Sequence, residues 1–173
     1  MNEMTESEHR NIFNEWLDQY KGLLFKIIRA YAFDQEDRED LFQEISIQVW
    51  KSIPNFKHQS AISTWIYRVS LNTALVWKRK TTRHKDGRQS VAAMENILHS
   101  GSEPKDERLE WLYSKISKLN EIDRSITLLM LDGFSYSDMA EILGISESNI
   151  GVKIYRIKKH LTSESKKIVQ HGI

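Results

Sequence analysis

SYSDMAEILGISESNIGVKIYRIKKHL, residues 135–161, predicts two helices about a tight turn, the second of them cationic. Ala140 sits where the first helix lets the second approach closely, and Gly144, four residues on, falls where the chain must turn. Only Gly takes a positive φ there without steric cost. Ser146 is placed to cap the second helix, with Glu147 in its first turn facing the positive end of the helix dipole. Met139, Ile142, Leu143, Ile145, Ile150, Ile154 and Ile157 recur at helical spacing and form the expected inner seam. Ser148, Asn149, Lys153, Arg156, Lys158 and Lys159 are left for the outward face. Short polar groups at the start of a helix and cations further along suit a reader of the DNA major groove. An ordinary helical hairpin with solvated lysines has the same spacing, so the charge layout of the remaining chain has to decide.

That layout alternates. The 173 residues carry a net charge of only +1. Residues 1–50 nevertheless hold −6, residues 51–88 hold +8, residues 89–149 return to −6, and residues 150–173 hold +5. A chain split this way presents different faces to different partners. Two basic blocks in two segments point to two contacts with a polyanion, and the acidic blocks face a basic protein or solvent. There is no cysteine, which excludes disulfides, thiol catalysis and cysteine-based metal sites and fits a reducing cytoplasm. The first ten residues, MNEMTESEHR, are polar and acidic, unlike a signal peptide. No apolar run approaches the ~20 residues that span a bilayer, so no membrane insertion is expected and the expected location is cytoplasmic.

Only two prolines and seven glycines punctuate the chain, and the apolar residues keep a helical period throughout. Ile12, Phe13, Trp16, Leu17, Tyr20, Leu23, Leu24, Ile27, Ile28 and Tyr31 predict a long first helix. Asp34 to Asp40 reads as an acidic loop and helix start; Leu41, Ile45, Val49 and Ile53 mark a second helix, stopped by Pro54. After a polar loop from Asn55 to Ser60, a third helix contains Ile62, Trp65, Ile66, Val69, Thr73, Val76 and Trp77. Beyond Lys80 the pattern fails, and residues 81–106 read as a flexible linker with a short helix expected around Val91 to Leu98. Leu109, Leu112, Ile116 and Leu119 restart the period, and an apolar helix from Ile126 to Leu131 ends at Gly133. The expected fold is therefore all-α. Two small helical domains, residues 8–80 and 107–166, flank the linker, each small enough to gain stability from a partner.

With both units set out, the chain resembles a sigma factor of bacterial RNA polymerase, of the small two-domain extracytoplasmic-function type in the sigma-70 family. Three motifs carry the resemblance. Asp37-Arg38-Glu39-Asp40-Leu41-Phe42-Gln43-Glu44, continuing to Val49-Trp50, is similar to the helix that binds core polymerase. Ser63-Thr64-Trp65-Ile66-Tyr67-Arg68-Val69, followed by Asn72 and Lys78-Arg79-Lys80, is similar to the promoter-melting helix. Ser135 to Leu161 is similar to the reader of the minus-35 element. The resemblance implies a region 2-like bundle at 8–80 and a region 4-like helix-turn-helix at 107–166.

It also implies site residues. Asp37, Asp40, Leu41, Gln43 and Glu44 are expected to bind polymerase. Asn55, Lys57, His58, Ser60, Tyr67, Arg68, Asn72, Lys78, Arg79 and Lys80 are expected at the minus-10 element. Ser148, Asn149, Val152, Lys153, Arg156, Lys158 and Lys159 are expected at the minus-35 element. Physical reasons stand beside these assignments. Asp40, Gln43 and Glu44 share one side of a helix, although an acidic first turn suits the helix dipole without any partner. Cations at Arg68 and Lys78 to Lys80 attract phosphates, and the aromatic faces of Trp65, Tyr67 and Trp77 can stack on unpaired bases. Trp65 lies on the buried stripe and serves equally well as core, whereas Tyr67 and Arg68 lie off it. Gly151 stands where the family often has lysine, which removes a phosphate contact and costs about 1 kcal/mol of helix propensity.

His9, His58, His84, His99, His160 and His171 are scattered without metal-ligand spacing, so neither zinc nor another cofactor is expected. No nucleophilic triad, phosphate-binding glycine loop or paired carboxylates can be assigned, and no enzymatic activity is expected. The partners implied are core RNA polymerase, promoter DNA and an anti-sigma factor. The rival reading is a free-standing helix-turn-helix regulator that binds operator DNA as a dimer. A helical adaptor that never touches DNA is the third.

Overall fold

A computed structural model describes the backbone of residues 5–85 and 106–170, and the side chains of residues 5–81 and 106–166. Seven α-helices and one 3-10 turn form the described residues, with no strand among them. They fall into two compact units, α1–α3 and α4–α7. The short helix expected around Val91 to Leu98 lies outside the described residues.

In the first unit, α1 (Glu6–Tyr31) opens with a capping box: the Thr5 hydroxyl accepts from the Glu8 N–H, and the Glu8 carboxylate accepts from the Thr5 N–H at 2.8 Å. Asp34 caps α2 (Gln35–Ser52) by accepting from the Asp37 N–H at 2.7 Å. Pro54 then converts the chain into a 3-10 turn, Ile53–Asn55, because proline offers no N–H to continue the helix. The third helix, α3 (Ile62–Lys85), continues five residues past the expected start of the linker. All three helices pack on one another. Leu24, Ile27 and Tyr31 of α1 and Leu41, Ile45 and Val49 of α2 are all buried in the core of this unit. Burial of this kind stabilises by about 1.5–3 kcal/mol per large side chain.

The buried face of α3 is rotated from the one its apolar residues predict. Ile66, Tyr67, Ser70, Leu71, Ala74 and Trp77 are buried, while Val69 and Thr73 are only partly covered and Val76 is exposed. Packed against both α1 and α2, α3 needs small residues where backbones approach, and Ser70 and Ala74 meet that need. Hydropathy alone ranks Val above Ser, so it selects the wrong face. Tyr67 is consequently core, which corrects its assignment as a base-stacking surface residue. Trp65 is also structural: its Nε1–H donates to Ser52 Oγ at 3.2 Å, and its ring meets Phe56.

The second unit consists of α4 (Glu107–Ser117), α5 (Glu121–Leu131), α6 (Tyr136–Leu143) and α7 (Glu147–Gln170). Asp106 caps α4 and Asn120 caps α5. Residues Arg124 to Leu129 of α5 are all buried, so α5 is the central post. Arg124 extends back to the end of α4, donating from Nη2 to the carbonyls of Ser117 at 2.6 Å and Leu119 at 2.9 Å. A cation there satisfies carbonyls at the negative helix end. Ser135 forms a capping box with Asp138 at the start of α6. Gly144 ends that helix with φ 69°, its N–H donating to the Ala140 carbonyl at 2.9 Å. The Ser146 hydroxyl accepts from the Asn149 N–H at 3.3 Å, starting α7 where the sequence predicts. Ile150, Ile154 and Ile157 bury the inner stripe of α7, which packs on α5 and α6.

Candidate nucleic-acid and protein interfaces

The α6–turn–α7 unit fixes which side chains of α7 face outward. With its isoleucine stripe buried every three or four residues, Ser148, Asn149, Val152, Arg156, Lys158 and Lys159 are left exposed. Two aromatic groups that the sequence reading passed over join them. Tyr155 is 68% exposed on α7, and Tyr136, the first residue of α6, is 46% exposed. Tyr136 lies over Gly151: a Cβ added at that glycine would stand 3.5 Å from its Cε2. That is ordinary contact distance, so the ring packs over position 151 without depending on the glycine there. The signal available in the sequence was a pair of apolar-bodied residues off the buried stripe.

Lys153 departs from the expectation. Its ammonium donates to Asp123 Oδ1 of α5 at 2.9 Å, and the two side chains are only 28% and 22% exposed. The lysine expected at the minus-35 element is thus paired with the helix behind it in this structure.

In the first unit the loop between the 3-10 turn and α3 is held at one point. The Phe56 ring lies edge-on to Trp16 with centroids 5.4 Å apart and tilted against Trp65 at 5.6 Å. His58 follows with φ 56°, an unusual backbone conformation for a residue with a side chain, and its ring rests on Phe56 at 4.5 Å. Anchored so, the loop leaves Asn55, Lys57 and His58 exposed and Ser60 partly covered. Along α3, Asn72, Arg79 and Lys80 are exposed, Arg68 is partly buried, and Lys78 sits over the Phe33 ring with Nζ 4.7 Å from its centroid. The loop at the start of α3 and the cations towards its end are two polar, basic patches spaced along the helix, each suited to phosphates or unstacked bases.

The α2 surface combines charge with apolar area. Gln43 and Glu44 are exposed and Asp37 is partly covered. Leu41 is fully buried, so it supports this surface from beneath instead of forming it. Asp40 is exposed on α2, and its Oδ2 accepts from the Trp77 indole N–H of α3. Ile47, 46% exposed, adds apolar area to the face of Asp40, Gln43 and Glu44, while Phe42, 41% exposed, lies on the other flank of the helix. Such a face suits a protein partner better than solvent alone.

Comparison with known proteins matches both units separately. Residues 16–84 match the family model for sigma-70 region 2, and residues 109–161 match that for sigma-70 region 4. The chain belongs to the extracytoplasmic-function group of the sigma-70 family. It is 24% identical over 174 residues to the ECF RNA polymerase sigma-E factor of Haemophilus influenzae, covering 94% of this chain and 92% of that one. It is 25% identical over 167 residues to the ECF sigma factor SigW of Bacillus subtilis, covering 90% and 89%. Among solved structures it is similar to the sigma factor RpoE of Bartonella quintana, which was crystallised with the anti-sigma factor NepR. That likeness has a TM-score of 0.72 at 22% identity and covers 89% of this chain and 96% of the other.

Within sigma-70 region 2, then, lie the aromatic-anchored loop, the basic end of α3 and the acidic face of α2; region 4 holds the helix-turn-helix. Among the described residues no cluster of three or more His, Asp or Glu side chains is placed to hold a metal ion. His9, one of the scattered histidines, is used in packing: its ring stacks on Trp50 at 4.0 Å. Among the described residues no helix is long and apolar enough to cross a membrane.

Proposed function

We propose that this sigma factor binds core RNA polymerase in the cytoplasm and directs it to promoters, with its two units reading different elements. Region 4 reads the minus-35 element through Ser148, Asn149, Val152, Arg156, Lys158 and Lys159. Region 2 captures and opens the minus-10 element through Asn55, Lys57, His58, Ser60, Arg68, Asn72, Lys78, Arg79 and Lys80, and grips polymerase through Asp37, Asp40, Gln43 and Glu44. Nucleotidyl transfer belongs to the polymerase. The observation that carries the reading is the outward face of α7, where short polar groups precede cations on a helix whose opposite side is wholly committed to packing. Unpaired bases held by the loop and α3 lower the free energy of the open duplex, which favours melting without any chemistry by this chain. An anti-sigma factor would regulate the protein by covering these same surfaces.

The test is transcription with purified core polymerase on a genomic template. Defined start sites preceded by two shared elements are expected, together with co-elution of the chain and core polymerase in gel filtration. Tight operator binding by the chain alone, without co-elution, would move the protein to the class of free-standing regulators. Glu44→Ala, which disturbs no packing, is expected to weaken co-elution and leave region 4 binding to DNA intact.

A further inference from the structure

Lys153 and Asp123 lie 30 residues apart in sequence yet meet at 2.9 Å, each less than a third exposed. The carboxylate is fixed from its other side as well, because Asn120 Nδ2 donates to Asp123 Oδ2 at 2.7 Å. The Asp123 N–H in turn donates to Asn120 Oδ1 at 2.9 Å, locking the residue into the first turn of α5. Lys153 thus meets a carboxylate that cannot swing away. A second strut joins the far half of α7 to α4, with Lys115 Nζ donating to Glu164 Oε2 at 2.7 Å and both side chains about a fifth exposed. Residues 153 and 164 are eleven positions apart, about 16 Å along a helix at 1.5 Å per residue. The isoleucine stripe alone is a smooth apolar seam, which resists separation but leaves small rotations cheap. Two directional ion pairs well apart along one helix oppose rotation and sliding together.

We infer that Asp123 and Lys153 are a positioning pair: Lys153 aims the recognition helix by holding it to Asp123 and does not itself contact DNA. The inference rests on the minus-35 reading given above. A base-reading helix loses discrimination when its side chains are displaced by a fraction of a hydrogen-bond length, so a pair behind the helix can set specificity from a distance.

The substitution Asp123→Asn separates the two possible roles by sign. It preserves shape, removes the charge and releases Lys153. In full-length protein with core polymerase, transcription from a mapped promoter is compared with the same promoter carrying a scrambled minus-35 element, across a salt series. A positioning role predicts that D123N and K153M each reduce the preference for the intact element by about tenfold, on the order of one mismatched base pair. The salt slope of promoter binding should stay as in the wild type. The exchanged double variant D123K/K153D should recover most of the preference.

If Lys153 instead contacts phosphate, D123N will bind DNA more tightly, and K153M will lower the salt slope by about one. Either of those results overturns the inference, as does wild-type preference in D123N. Circular dichroism checks that each variant is folded; should the double exchange fail to fold, D123N against K153M still decides. Failure of the wild-type chain to initiate transcription with core polymerase would be a different failure, that of the proposed function.

Discussion

The helices α3 and α7 have the same length, 24 residues, and both are basic, yet they use their residues in opposite ways. Wedged between two partners, α3 buries a broad arc that includes Tyr67, Ser70 and Thr64. Its cations collect beyond the arc, at Lys78, Arg79 and Lys80. By contrast α7 buries a narrow isoleucine stripe and leaves polar and cationic groups along most of its length. Each helix packs on two others, so what sets how much of it is available to a ligand is how extensively those neighbours cover it, more than its composition.

Substitutions can break that contrast. The largest effect is expected from Tyr67→Ala, which empties a fully buried site in region 2 and should lower stability by about 3–5 kcal/mol. The exposed Tyr155→Ala should change it by less than about 0.5 kcal/mol. Urea titrations followed by circular dichroism compare the two; equal effects would mean that Tyr67 is not core.

Next in size is Arg156→Ala. It should cost about 1–3 kcal/mol of promoter affinity and reduce the salt slope by about one, with polymerase association unchanged, as measured by filter binding and gel filtration.

Gly151→Ala sharpens the comparison in the other direction. The added methyl group would meet Tyr136 at ordinary contact distance, so the helix should gain about 0.5–1 kcal/mol in thermal melts. No gain would mean that the tyrosine is displaced.

The smallest effect concerns acidity. The Thr5 N–H, and then its hydroxyl, hold the Glu8 carboxyl below its usual value. A lowered value stabilises the first turn of α1 above the ordinary carboxylate range, and that contribution is lost as pH falls through the lowered value. Amide exchange at the start of α1 should quicken over that acid interval; Thr5→Ala, which removes the hydroxyl but keeps the N–H, should weaken the dependence, and Glu8→Gln should abolish it.

Most of the architecture was readable from local signals. Gly144, Ser146 and the isoleucine stripe placed the turn, the cap and the inner face of α7, because each acts within a few residues of itself. Pro54 marked the end of α2 for the same reason. What escaped was non-local. The face of α3 is chosen by two helices far away in sequence, so Val69 and Val76 misled while Ser70 and Ala74 went unweighed. Lys153 carried every local mark of a DNA contact, and only the fold brings Asp123 to it. Leu41 stands among acidic residues in sequence, but its apolar spacing with Ile45 and Val49 assigns it to the core, where the fold buries it.

Four of the five tryptophans, at positions 16, 50, 65 and 77, belong to region 2, and Trp111 stands by itself in region 4. The intrinsic fluorescence of this molecule is therefore dominated by one half. Under excitation that tryptophan absorbs and tyrosine does not, replacing Trp111 with Phe would silence the other half, and the difference between the two emission spectra isolates a single fluorophore in region 4. Light alone can then report on each half in the intact chain, without attaching a dye to either.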